Sequence, residues 1–156
     1  MKEIEGIPAA VYTKIKFSIG VDSLPNTNDS TKYQVGDLDI TGSNGMPWVW
    51  AKGYKFIRLD GLTNTDDGLT NQGLTIHIGE NVNFKTKEFT QSIAFEEGKT
   101  TMVHFMVMVH KLFSGTTEID FDVNRDVQVN PADVASEIAD NYEQGMFMLH
   151  HAEVLD

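Results

Sequence analysis

Apolar and polar positions alternate along most of this chain with the period of a β-strand. In VYTKIKFSIGV (11–21), Val11, Ile15, Phe17, Ile19 and Val21 alternate with Tyr12, Lys14, Lys16 and Ser18, which predicts a half-buried strand. YKFIRLDG (54–61) places Ile57 and Leu59 on one side and Tyr54, Phe56 and Arg58 on the other. LTIHIG (74–79) sets Leu74, Ile76 and Ile78 against Thr75 and His77. A further strand or hairpin is expected over 84–95, ending in the turn EEGK. TTMVHFMVMVHKLFSG (100–115) is apolar on both faces and predicts a central strand. TEIDFDV (117–123) and the closing MFMLHHAEV (146–154) add two more.

Only NPADVASEIADNYEQG (130–145) reads as a helix. Asn130 is placed for the N-cap, Pro131 for the first helical position and Asp133 for the first turn. Val134 and Ile138 share a face, and Gly145 is expected just past the end. About seven short strands divided by turn signals, with one late helix, predict an all-β fold, an antiparallel β-sandwich. The polar stretch 22–45 is the one long loop, and loops of that length inside compact domains are commonly functional. No repeat or linker divides the chain, so residues 1–156 are expected to form a single domain.

Composition excludes several classes. The 156 residues carry a net charge of −11, with only 12 Lys and Arg, which nowhere cluster. Nucleic acid and anionic lipid are therefore poor partners, whereas cations are attracted. There is no cysteine, which removes disulfides, thiolate nucleophiles and zinc fingers. No apolar run reaches the roughly 18 residues of a membrane span, and no export signal is visible at the start. Nucleophile elbows, phosphate-cradling loops and His-Glu-x-x-His are all missing, so no enzyme is expected. The acid pairs Asp66/Asp67 and Glu96/Glu97 fall in turns and read as solvated charge.

Three patterns bear on a site. Trp48 and Trp50, the only tryptophans, share a parity where the long loop meets a strand. Pro47 cannot donate to a ladder and restricts Met46 to extended backbone, so this stretch is expected to enter a strand, with the indoles plugging the sandwich core beneath the loop. Second, Met102, His104, Met106, Met108 and His110 share one parity, as do Met146, Met148 and His150. Five of the seven methionines and three of the five histidines thus lie on two stripes. Thioether and imidazole suit Cu(I), and imidazole suits Cu(II); the plainer reading makes the methionines core filler and His110, His150 and His151 exposed strand-end residues. Third, His77 stands alone among apolar neighbours, where a hydrogen-bonded structural role competes with a ligand role.

In this order, GIPAAVYTKIKFSIGVDSLPN, NGMPWVWAKGYKFIRLDG, LTIHIGEN, HKLFSG and MFMLHH resemble the MbnP-like family, exported bacterial β-sandwich proteins named for a methanobactin-associated periplasmic copper protein. The resemblance runs from about Gly6 to His151. It implies a non-enzymatic protein of the periplasm or cell surface, often a lipoprotein. It further implies a copper site built from histidine imidazoles and a tryptophan oxidised to kynurenine. Carried over by position, His77 is the imidazole and Trp48 or Trp50 the oxidisable indole. The family's further N-terminal strands have no counterpart here, and the histidine expected two residues after the modified tryptophan is replaced by Trp50 or Lys52.

Two functions remain open on this reading. One is copper handling through His77, a tryptophan, and His104 with Met106. The other is a metal-free structural or interaction module of a bacterial envelope assembly, contacting a protein partner through the long loop. A third reading, weaker in its signal, is a Ca²⁺-stabilised sandwich held by Asp22, Asp37 and Asp39; the fixed spacing of an EF-hand loop is not present.

Overall fold

The computed structural model describes residues 3–27, 36–39, 45–48 and 53–155. Among these residues the strands form three small sheets. Strand β1 (Ala10–Ile19) pairs antiparallel with β4 (Lys85–Phe95). Strand β2 (Lys55–Thr63) pairs antiparallel with β3 (Gln72–Gly79), and β3 takes β6 (Asp126–Val127) in parallel on its other edge. Strand β5 (Thr100–Val107) pairs antiparallel with β7 (Phe147–Leu155). Among the described residues two α-helices accompany them, the short α1 (Ser23–Thr27) and α2 (Ala132–Asn141). The fold is all-β and sandwich-like, with one substantial helix near the C-terminus.

The alternation in β3 explains the core. Leu74, Ile76 and Ile78 all turn inward and are buried, joined by Val127 from β6, Ala135, Ile138 and Ala139 from α2, and Leu112, Ile119 and Tyr142 from the connections. Burying each large aliphatic chain contributes about 1.5–3 kcal/mol. A second set of contacts holds the β1–β4 and β5–β7 sheets face to face. The Phe17 ring lies 5.3 Å from Phe105 and 5.1 Å from Phe147, both edge-on.

Several expectations are corrected. Strand β5 is not central: among the described residues β7 is its only ladder partner, and Met106 and Val107 on it are exposed. One side of β5 is covered by the Phe17 and Phe89 rings while the other faces outward. Residues 117–123 form an isolated bridge, Glu118 to Ser114, and a turn at 121–123 rather than a strand, and at that turn the Asp120 carboxylate accepts from the Asp122 amide at 2.8 Å and so competes with any ladder. Val11 is exposed, where the β1–β4 register shifts between Tyr12 and Lys14.

Helix α2 starts one residue later than predicted, with Pro131 in the N-cap place and no side-chain cap. It runs on into a π-helical turn, Tyr142–Met146, so Gly145 lies inside the last turn rather than beyond it. Buried Tyr142 and Met146 anchor that turn; the Tyr142 hydroxyl donates to the Asn83 carbonyl, and the Met146 carbonyl accepts from the Met108 amide at 2.8 Å.

The described part of the 22–45 stretch is ordered locally by α1 and by a 3₁₀ turn at Gly36–Leu38. Buried Asn26 fastens it to the start of β2. Its Oδ1 accepts from the Tyr54 amide at 2.8 Å, and its Nδ2 donates to Asn81 Oδ1 at 2.8 Å. Gly53 permits this approach, since a Cβ there would lie 2.5 Å from Asn26 Oδ1 and φ is +90°. No helix among the described residues is long and apolar enough to cross a membrane.

Candidate metal centre

The β2–β3 ladder sets opposite the core a polar row that single-strand patterns do not reveal. Arg58 is paired with His77, and Asp60 with Thr75. Asp60 is therefore the diagonal cross-strand neighbour of His77, within side-chain reach. Its Oδ1 lies 2.7 Å from His77 Nε2, while its Oδ2 accepts from Arg58 Nε at 2.7 Å. The Arg58 contact first, and the His77 contact second, hold the Asp60 carboxyl below its ordinary value, so it is an acceptor at neutral pH. A neutral His77 ring must then carry its hydrogen on Nε2, which leaves Nδ1 with a bare lone pair.

That Nδ1 is buried and has no hydrogen-bond partner among the described residues. Leaving a buried polar atom unpaired costs about 1–3 kcal/mol. A carboxylate on one imidazole nitrogen and an open lone pair on the other is the arrangement that orients metal-ligating histidines.

Trp48 covers this ring. Its centroid lies 6.0 Å from that of His77, at an interplanar angle of 63°. The indole is buried, yet it stands outside the main core cluster, so it plugs the His77 face rather than the sandwich interior. The chain brings it there by folding 46–48 back on 53–55: Pro47 bridges Tyr54, the Trp48 amide donates to the Gly53 carbonyl, and the Lys55 amide to that of Met46. A register shift between Lys55 and Ile57 buries Tyr54, Lys55 and Phe56 in succession. Lys55 Nζ sits 4.8 Å over the Trp48 ring and donates to the Gly45 and Pro47 carbonyls. Burial pushes the Lys55 ammonium down, as does Arg58 to a smaller extent. Gly79 lies against the indole, where a Cβ would stand 2.9 Å from Trp48 Nε1.

The remaining predicted ligands divide. Trp50 lies outside the described residues. His104 and Met106 belong to the β5–β7 sheet, and their neighbours come from β7 rather than from His77. His104 is opposite His151, with the rings stacked at 4.1 Å, and its Nε2 lies 3.1 Å from Glu153 Oε1. Met106 is opposite Met148, and both are exposed, whereas Met146 enters the core. The stripes are thus not uniformly core. His110 is exposed in a 3₁₀ turn, Val109–Leu112. Asp22, Asp37 and Asp39 do not gather into a three-carboxylate group; among the described residues the group with metal-ligating spacing is His104, His151 and Glu153. Reasoning from sequence missed Asp60, Lys55, His151 and Glu153. Only the pairing register could have found them.

A buried imidazole held by a carboxylate on one nitrogen and roofed by an indole is the candidate site of this β-protein. The chain belongs to the MbnP family, whose model matches residues 1–135. Neither the comparison with curated proteins nor that with solved structures returns a match.

Proposed function

We propose that this protein is an exported, non-enzymatic copper-binding protein that holds the metal through His77 beside Trp48. The observation that carries the reading is the buried Nδ1 of His77, without a partner among the described residues, whose other nitrogen is fixed by Asp60. Membership of the MbnP family supports copper as the metal and the periplasm or cell surface as the place. Imidazole nitrogen suits copper in either oxidation state. Opening of the Trp48 indole by dioxygen, with the formyl carbon then released by water as formate, would give a kynurenine whose amine and carbonyl are donor groups that the indole lacks.

The test is metal analysis with intact-mass measurement on protein purified from copper-supplemented cells. Copper bound to the wild type, with one equivalent fewer in His77→Ala, is the expected result. Wild-type protein carrying no copper would rule the reading out.

A further inference from the structure

The outward face of the β5–β7 ladder carries a second set of ligands that owes nothing to His77. Pairing runs His104 to His151 and then Phe105 to Leu149, so His150 has no opposite residue. This one-residue bulge switches the side-chain parity of β7. Before it Met148 points outward; after it His151 and Glu153 do, and both His150 and His151 are exposed. The outward side therefore collects His104, Met106, Met148, His151 and Glu153, while Phe105 and Phe147 on the inward side are locked against Phe17.

The two imidazoles stack nearly parallel, at 4.1 Å and 11°. Glu153 Oε1 lies 3.1 Å from His104 Nε2 and 3.9 Å from His151 Nε2, and one ligand atom from each of the three residues falls within 4.8 Å of the others. A first-row metal held at about 2.0–2.2 Å by nitrogen and oxygen needs donors about 3–4 Å apart with converging lone pairs, so the stacked rings must turn out of parallel to bind it, which their position at the surface allows. Met106 and Met148 form the next cross-strand pair, both 42% exposed. Two thioethers facing solvent gain nothing for the core, yet they stand beside the imidazoles as soft donors.

We propose that this face is a second copper site, loaded from solvent, with His104, His151 and Glu153 holding Cu(II) and the Met106–Met148 pair supplying thioether ligands to Cu(I). Two nitrogens and one carboxylate select copper over hard cations, and affinity for such a set peaks at Cu(II) among the divalent first-row metals. Thioethers extend retention to the monovalent ion. The net charge of −11 raises the local concentration of cations at an exposed site. His151 and Glu153 lie beyond the residues matched by the family, so the site is not carried by that match.

The experiment uses the full chain carrying His77→Ala, so that only this face is read. Copper(II) is titrated with electron paramagnetic resonance detection, and Cu(I) is titrated anaerobically against a chromogenic chelator. One equivalent of Cu(II) with imidazole nitrogen coupling is expected to persist in the His77→Ala chain. Adding His104→Gln and His151→Gln should abolish it, and adding Met106→Leu and Met148→Leu should leave Cu(II) in place while the Cu(I) equivalent is lost to the chelator. Glu153→Gln, which keeps the ladder intact, should weaken Cu(II) binding even if the double histidine variant fails to fold. A His77→Ala chain that binds no copper, or a folded double histidine variant that keeps its Cu(II) equivalent, would overturn the proposal. Loss of metal from His77 with retention here would separate the two centres.

Discussion

Asp60 reaches across the β2–β3 ladder to place Oδ1 2.7 Å from His77 Nε2, and the ring's other nitrogen is buried with no partner among the described residues. This pair links sheet register to ligand chemistry, because the strand pairing alone sets which carboxylate meets the imidazole. Asp60→Asn keeps the shape but removes the charge that fixes the ring hydrogen. Copper affinity at His77 is expected to fall about 10–100-fold, as for other outer-shell partners of metal histidines. Competition titration against a chelator of known affinity reads this directly; an unchanged affinity would show that Asp60 does not orient a ligand.

The same pair predicts an acid-side loss of stability. The folded Asp60 carboxyl titrates below its unfolded value of about 4. Its contribution is therefore complete above that unfolded value and is lost as pH falls through the lower folded one. Asp67, held down mainly by the Thr65 hydroxyl, and Glu88, held down mainly by Lys14, shift in the same direction. Asp60→Asn should flatten the fall in urea-unfolding free energy below about pH 4 without abolishing it.

Gly79 sets how closely the indole can approach. A Cβ there would lie 2.7 Å from the Tyr54 carbonyl and 2.9 Å from Trp48 Nε1, and neither the backbone nor the buried ring can give way freely. Gly79→Ala should destabilise the protein by about 1–3 kcal/mol. In a Trp50→Phe background it should also shift Trp48 emission to longer wavelength as the ring moves toward water. Unshifted emission would mean that the indole does not depend on this contact.

Tyr142 tests the anchoring of the last helical turn. Its hydroxyl is buried against the Asn83 carbonyl, and burial pushes its ionisation well above the usual tyrosine value. Tyr142→Phe leaves that carbonyl unpaired and should cost about 1–3 kcal/mol, seen as a lower urea midpoint with an unchanged slope.

How much of this was legible in the sequence depended on whether a residue's role was set along one strand or between two. Leu74, Ile76 and Ile78 declared the core face of β3 by parity alone, and the core lies there. His77 stood out on the opposite face for the same reason. Asp60 did not, because its partner is fixed by the β2–β3 register, a property of the pair rather than of either strand. The closing strand shows the cost of a missed bulge. Uninterrupted alternation selects His150 for the methionine face, whereas the unpaired residue in the ladder sends His151 there. Trp48 was foreseen as a buried plug, but its burial beside His77 rather than in the interior follows from the reversal of 46–48 onto 53–55.

The unopposed residue at 150 has a consequence for how such a surface arises or disappears. Removing the codon for His150 would restore continuous pairing while leaving His151 opposite His104 and Glu153 opposite Met102, so the outward face does not depend on the residue that bulges. Among related chains, a gap at that position in an alignment would then leave the patch intact, and its loss would appear as substitution of the ligands themselves.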